Sequence, residues 1–194
     1  MTNAWAAKRR SAPRPTPSRN SLSDGAEAMV NERRLPRAVL SETEVEKVLA
    51  QPDCGEVLGL RDRTMMEVLY STGIRRHELS GLDVFDVDRE RETVTVRMGK
   101  GKKDRTVPIG GRALGWIARY MDTARPLLRT PPESNALFLS ERGERIALAY
   151  LTSLMKQYVD KAKLGKTGAC HIFRHTMATL MLEGGADIRH IQEI

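Results

Sequence analysis

A chain of 194 residues, 40% hydrophobic and 5% aromatic, can bury one good-sized aliphatic core, with at most a second small unit beside it. No apolar run approaches the roughly 20 residues that cross a bilayer, the N-terminus lacks the apolar stretch of a secretory signal, and Cys54 and Cys170 are too few and too far apart for a disulfide framework or a zinc module. A reducing, cytoplasmic setting without membrane contact is expected, and the net charge of +7 points toward nucleic acid.

Most of that charge belongs to the first 38 residues, which hold eight Lys/Arg against Asp24, Glu27 and Glu32. Pro13, Pro15 and Pro17 alternate there with Ser, Thr and Arg and no apolar period emerges, so 1–38 reads as a disordered basic Pro/Ser-rich tail or linker. Residues 39–194 read as the folded unit. Ser41-Glu42-Thr43-Glu44 is a capping box opening a short helix that carries Val45, Val48 and Leu49 and stops by Pro52. A longer helix over 57–71 carries Leu60, Met65, Met66, Val68, Leu69 and Tyr70. Thr72-Gly73 breaks it, and a new helix begins at about Ile74, which puts Arg75 in or beside a first turn whose free N–H groups favour an anion. Leu79 and Leu82 anchor that helix, and Glu78 can pair with a neighbouring base.

Residues 83–108 predict a small three-stranded antiparallel sheet, with strands at 84–88, 93–97 and 105–109. Gly99-Lys100-Gly101-Lys102-Lys103 forms the tip of the last hairpin, where glycines admit a close ligand and lysines bring mobile charge; the Walker A spacing is absent. Helices are expected again at 112–128, with Leu114, Ile117, Tyr120 and Met121 on one side, and at 147–162, with Leu151, Leu154, Met155, Tyr158 and Val159 as a buried stripe. A last helix over Cys-His-Ile-Phe-Arg-His sets His171 and Arg174 on one face, with Leu180, Met181 and Ile188 able to bury the other. Gly184-Gly185 stops it, and Asp187 would cap a further helix.

Three separated segments thus each offer a phosphate-handling group. Two guanidiniums can bind both non-bridging oxygens of one phosphate and stabilise a pentacoordinate transition state. A lysine can protonate a departing sugar oxygen, and a histidine can position or deprotonate a nucleophile. His171 and His175, four apart, could instead ligate a metal, but the Glu of an H-E-x-x-H site is missing, so neither metal nor cofactor is expected.

The strings T-G-I-R-R-H-E-L at 72–79, G-K-G-K-K-D-R-T-V-P-I at 99–109, H-I-F-R-H-T-M-A-T at 171–179 and G-A-D-I-R-H-I-Q-E-I at 185–194 resemble, in order and spacing, the tyrosine recombinase (phage integrase) family in its bacterial Xer-like branch. The resemblance implies an α+β, mostly helical DNA breaking-rejoining fold over 39–194. It implies site-specific recombination or integration of double-stranded DNA, as in mobile elements, through a 3′-phosphotyrosine intermediate. Arg75 and Arg174 would be the phosphate clamps, Lys100 the general acid and His171 the catalytic histidine, with His175 supporting the site from behind. Arg76, Lys102, Lys103 and Arg105 would contact the DNA backbone. Phe173 stands where the family usually has an aliphatic residue.

Two departures set further expectations. In the family, the segment like 191–194 runs into a Leu-Gly-His motif and a later nucleophilic tyrosine, whereas Tyr70, Tyr120, Tyr150 and Tyr158 all lie upstream, on what read as core helices. The family also has a helical DNA-binding domain where only residues 1–38 stand. The chain therefore reads as a catalytic domain incomplete at its C-terminus and inactive for cleavage alone, with tetramers on paired sites expected of the complete protein. The alternatives are a non-catalytic DNA-binding remnant or regulator; a type IB topoisomerase shares the chemistry, but the Xer-like strings favour recombination.

Overall fold

The computed structural model describes residues 39–97 and 104–187. The basic tail, Lys100, Lys102 and Lys103, and the segment from Ile188 onward, with its expected helix, lie outside the described residues.

Helix α1, Glu42–Leu49, opens on the expected reciprocal cap: Ser41 N–H donates to Glu44 Oε2 at 2.7 Å and Glu44 N–H to Ser41 Oγ at 3.3 Å. It buries Val45, Val48 and Leu49. Helix α2, Val57–Thr72, is the central rod, buried over most of its circumference and packed by the other helices. Gly59 lets it approach the preceding loop, since a Cβ there would lie 1.9 Å from the Asp53 carbonyl oxygen. It ends at Gly73, whose φ of 62° is the left-handed conformation that glycine adopts without steric cost.

Helix α3, Arg76–Gly81, follows with Arg75 as its cap residue, and buries Leu79 against the core. Strands β1, Val87–Asp88, β2, Thr93–Val96, and β3, Arg105–Pro108, form an antiparallel sheet in the order β1-β2-β3. Val94 pairs with Val107 and Val96 with Arg105, and the three valines face the core. The first strand is shorter than expected. Val84–Asp86 is a 3₁₀ turn, because Asp83 N–H donates to Asp86 Oδ2 at 2.8 Å and this local side-chain bond outcompetes extended pairing.

The helix expected over 112–128 is also divided, into α4, Gly111–Arg119, a π-helical turn, Tyr120–Ala124, and α5, Arg125–Leu128. Pro126 explains the change of pitch: it has no N–H for the carbonyl four residues back and its ring crowds that carbonyl, so a wider turn precedes it. Tyr120 is turned wholly inward, stacked on Phe138 with centroids 5.6 Å apart, while Met121 is only half-buried. Helix α6, Leu148–Lys161, buries Leu151, Leu154, Met155 and Val159 as the pattern predicts, with Tyr158 half-buried.

Helix α7, Cys170–Glu183, packs chiefly on α2. Its buried face is Ile172, Phe173, Thr176 and Met177, one turn earlier than expected; Leu180 and Met181 are half-buried. Phe173 is fully enclosed.

Candidate active site

The site grows from the corner between α2 and α3. Because Gly73 turns left-handed, the chain doubles back there, and its carbonyl accepts a hydrogen bond from Arg174 Nη1 on α7. The Thr-Gly-Ile-Arg string and the His-Ile-Phe-Arg string, about a hundred residues apart, thus meet through one backbone oxygen. Arg174 is half-buried, and burial, then the like charges of Arg75 and Arg105, push its pKa below the ordinary arginine value, with the Glu78 charge opposing.

Glu78 is the anion of this cluster and is only 4% exposed. Its Oε2 accepts from the Arg75 backbone N–H at 2.7 Å and its Oε1 from Arg75 Nη1 at 3.3 Å. Arg105, at the start of β3, completes the shell with a bidentate pair, Nη1 to Oε1 at 2.8 Å and Nη2 to Oε2 at 2.9 Å. Burial alone would raise the Glu78 pKa, but the hydrogen bonds and charges of Arg105 and Arg75 outweigh it and hold the carboxyl below its ordinary value. The Arg75 side chain remains 34% exposed and Arg105 20%.

His171 and His175 stand on the outer side of α7, exposed, with rings edge to face at 5.9 Å. Partial burial of the ring, then the neighbouring His171 and Arg174, lower the His175 pKa below its ordinary value, which favours the neutral ring. Arg76 lies just outside the cluster, donating to Thr152 Oγ1 at 2.9 Å. Cys170 is buried with its thiol pKa pushed up to about 11, which leaves it protonated, neither a ligand nor a nucleophile at neutral pH. Among the described residues no three His, Cys, Asp or Glu side chains are grouped to hold a metal ion.

Three of the four tyrosines have engaged hydroxyls. Tyr158 donates to Asp62 Oδ2 at 2.8 Å, Tyr120 accepts from Leu139 N–H at 3.2 Å, and Tyr150 accepts from Arg61 Nη2 at 3.3 Å. Tyr150 departs from the expectation of a core position, being 42% exposed. Tyr70 is half-buried, and burial raises its pKa. A groove of about 490 Å³ runs between α1 and the second half of α7, lined by Val39, Glu44, Lys166 and Thr179 among others, and includes none of the arginines.

Fold and site together define a helical domain with a small sheet that gathers arginines around one buried carboxylate. The sequence profile of the phage integrase family matches residues 38–194, and the chain belongs to that family. Tyrosine recombinase XerC 2 of Ralstonia nicotianae is 51% identical over 162 residues, covering 84% of this chain and 46% of that protein. Tyrosine recombinase XerD of Pseudomonas aeruginosa is 43% identical, covering 81% and 52%. Among solved structures, XerA recombinase superposes with a TM-score of 0.70 at 32% identity, covering 79% of this chain and 54% of that one. XerH site-specific recombinase bound to its difH substrate, in a pre-cleavage complex, does so at 0.70 and 25% identity, covering 82% and 46%. The chain spans about half the length of these relatives.

Proposed function

We propose that residues 39–194 are the catalytic domain of a site-specific DNA recombinase that breaks and rejoins strands through a 3′-phosphotyrosine intermediate. The observation that carries this is the convergence of Arg75 and Arg174 on the Gly73 corner, one held by Glu78 and the other by the Gly73 carbonyl. Two forks fixed in this way suit the two non-bridging oxygens of a scissile phosphate and the charge that grows on them as a tyrosine oxygen attacks phosphorus. As the bond to the 5′ oxygen breaks, Lys100 gives that oxygen a proton, while His171 orients the attacking hydroxyl or takes its proton. His175, favoured as the neutral ring and packed edge-on, supports His171. Arg76, Lys102 and Lys103 are suited to flanking phosphates, where they add salt-sensitive affinity without sequence information.

On this reading the partner is double-stranded DNA, no resident cofactor takes part, and the complete protein works as a tetramer on paired sites in the cytoplasm. The resemblance to XerC, XerD and XerH proteins supports it. The test is covalent capture on a nicked suicide duplex by a nucleophile-complete version of the protein. Arg75→Ala and Arg174→Ala each abolish the adduct while circular dichroism stays native; adduct formation by either variant overturns the assignment. Binding of the duplex without any adduct in the unsubstituted protein would favour a DNA-binding protein that performs no chemistry.

A further inference from the structure

We infer that Arg105 is a positioning residue that holds Arg75 in place through Glu78, and not a contact to the DNA backbone; the inference rests on the recombinase reading above for what Arg75 then does. The geometry of one carboxylate carries it. Glu78 has two oxygens, and each serves both arginines: Oε1 takes Arg75 Nη1 and Arg105 Nη1, while Oε2 takes the Arg75 N–H and Arg105 Nη2. Arg105 meets the carboxylate at 2.8 and 2.9 Å as a planar fork, whereas the Arg75 guanidinium reaches it through one nitrogen at 3.3 Å. The shorter, two-pronged pair is the stronger, so Arg105 fixes the orientation of the carboxylate and the carboxylate in turn orients Arg75. The carboxylate plane has little freedom of its own, since Glu78 sits on a helix of six residues with its side chain 1% exposed.

The same geometry argues against a phosphate contact. Arg105 has both terminal nitrogens turned toward Glu78 and is the more enclosed of the two side chains, 20% exposed against 34% for Arg75. Its strand pairing reinforces this: Arg105 is opposite Val96, which is buried, so β3 presents this side chain toward the domain. The arrangement is a strut from the sheet to the corner that carries Arg75. Arg105, the last member of the basic run that starts at Arg97, thus faces inward.

Two readouts on the 194-residue chain test this. The first is hydrogen exchange at the Arg75 amide, which is protected by Glu78 Oε2. Arg105→Gln releases the carboxylate and speeds that exchange at least about tenfold, while amides in the middle of α2 are unchanged. Arg105→Lys, which can engage one oxygen but not both, gives an intermediate rate. An unchanged Arg75 amide in Arg105→Gln overturns the inference whether or not the chain handles DNA. The second readout is the salt dependence of affinity for a duplex of arbitrary sequence, taken in an Arg75→Ala background. Arg105→Gln leaves the slope of log K against log salt unchanged; a fall of about one shows Arg105 on a phosphate and overturns the inference. If no variant of this chain binds duplex, the exchange data alone decide the role of Arg105, and the recombinase reading stands or falls separately on the covalent-capture test.

Discussion

At the residue scale Glu78 does two things at once: it caps α3 and neutralises the arginines that would otherwise repel one another across the corner. Its pH dependence follows. A carboxyl held below its ordinary 4.5 binds its proton less readily in the folded chain than in the unfolded one. Its contribution is therefore complete above that value and is lost as pH falls through the lower folded pKa. Glu78→Gln should lower the urea midpoint at neutral pH and flatten the decline on the acid side, measured between about pH 7 and pH 3. A variant that loses stability equally at every pH would show that Glu78 matters by shape and not by charge. Arg75 and Arg174 stand out in the sequence because each lies in a distinctive string, and the fold brings those strings together at Gly73; Glu78 was legible as the partner of some base. The role of Arg105 was not, since a run of five basic residues between 97 and 105 gives no sign of which one turns inward. Its bidentate pairing with Glu78 becomes visible in the fold and not in the sequence.

At the element scale the informative joint lies at the start of the domain. The backbone N–H of Leu40 donates to Thr176 Oγ1 at 3.0 Å, and Lys166 Nζ donates to the Val39 carbonyl and to Glu44 Oε2, both at 2.6 Å. Residues preceding α1 are thereby tied to α7 two positions from Arg174, and to the loop that leads into it. Thr176 is fully buried, so Thr176→Val keeps the shape and strands the Leu40 N–H. The expected cost is about 1–3 kcal/mol, read from the urea midpoint, with faster exchange at the Leu40 amide. A change within about 0.5 kcal/mol would mean that the bond is replaced by another partner. Apolar periodicity could not have revealed this tie, because a buried threonine in a helix looks the same whether it bonds its own turn or a distant loop. The other misses at this scale have local causes. Asp83 and Asp86 cap each other and shorten the first strand, and Pro126 forces a wide turn into a helix whose apolar spacing reads as continuous. Where capping chemistry and pattern agree, as at Ser41–Glu44, and where the apolar stripe is strong by itself, as along α6, the element was legible.

At the scale of the whole molecule the arginine cluster depends on α2 staying fixed relative to α6 and α7, and a buried ion pair within α2 secures this. Arg61 is fully buried; it meets Asp62 Oδ1 at 2.8–2.9 Å and donates to the Leu139 carbonyl at 2.9 Å, while Asp62 Oδ2 accepts from Tyr158 of α6. Three separate stretches, α2, the Ala136–Leu139 segment and α6, are joined by this one network. Burial pushes the Asp62 carboxyl above its ordinary range despite the opposing charge of Arg61 and the Tyr158 hydrogen bond, which marks the desolvation cost of keeping the pair in the core. Removing one partner should thus cost far more than removing both. Asp62→Asn leaves an uncompensated guanidinium and is expected to destabilise by about 3–5 kcal/mol, and Arg61→Met by a similar amount. The double variant Arg61→Met, Asp62→Leu should lose distinctly less than the sum of these two, with the remainder reflecting the unpaired Leu139 carbonyl and Tyr158 hydroxyl. Denaturant midpoints of the four proteins measure the coupling. If the single losses simply add, the charges are solvated in the folded chain and the network does not anchor α2; if they are strongly non-additive, the rod that presents Gly73 to Arg174 is held by paired charge as well as by its apolar surface.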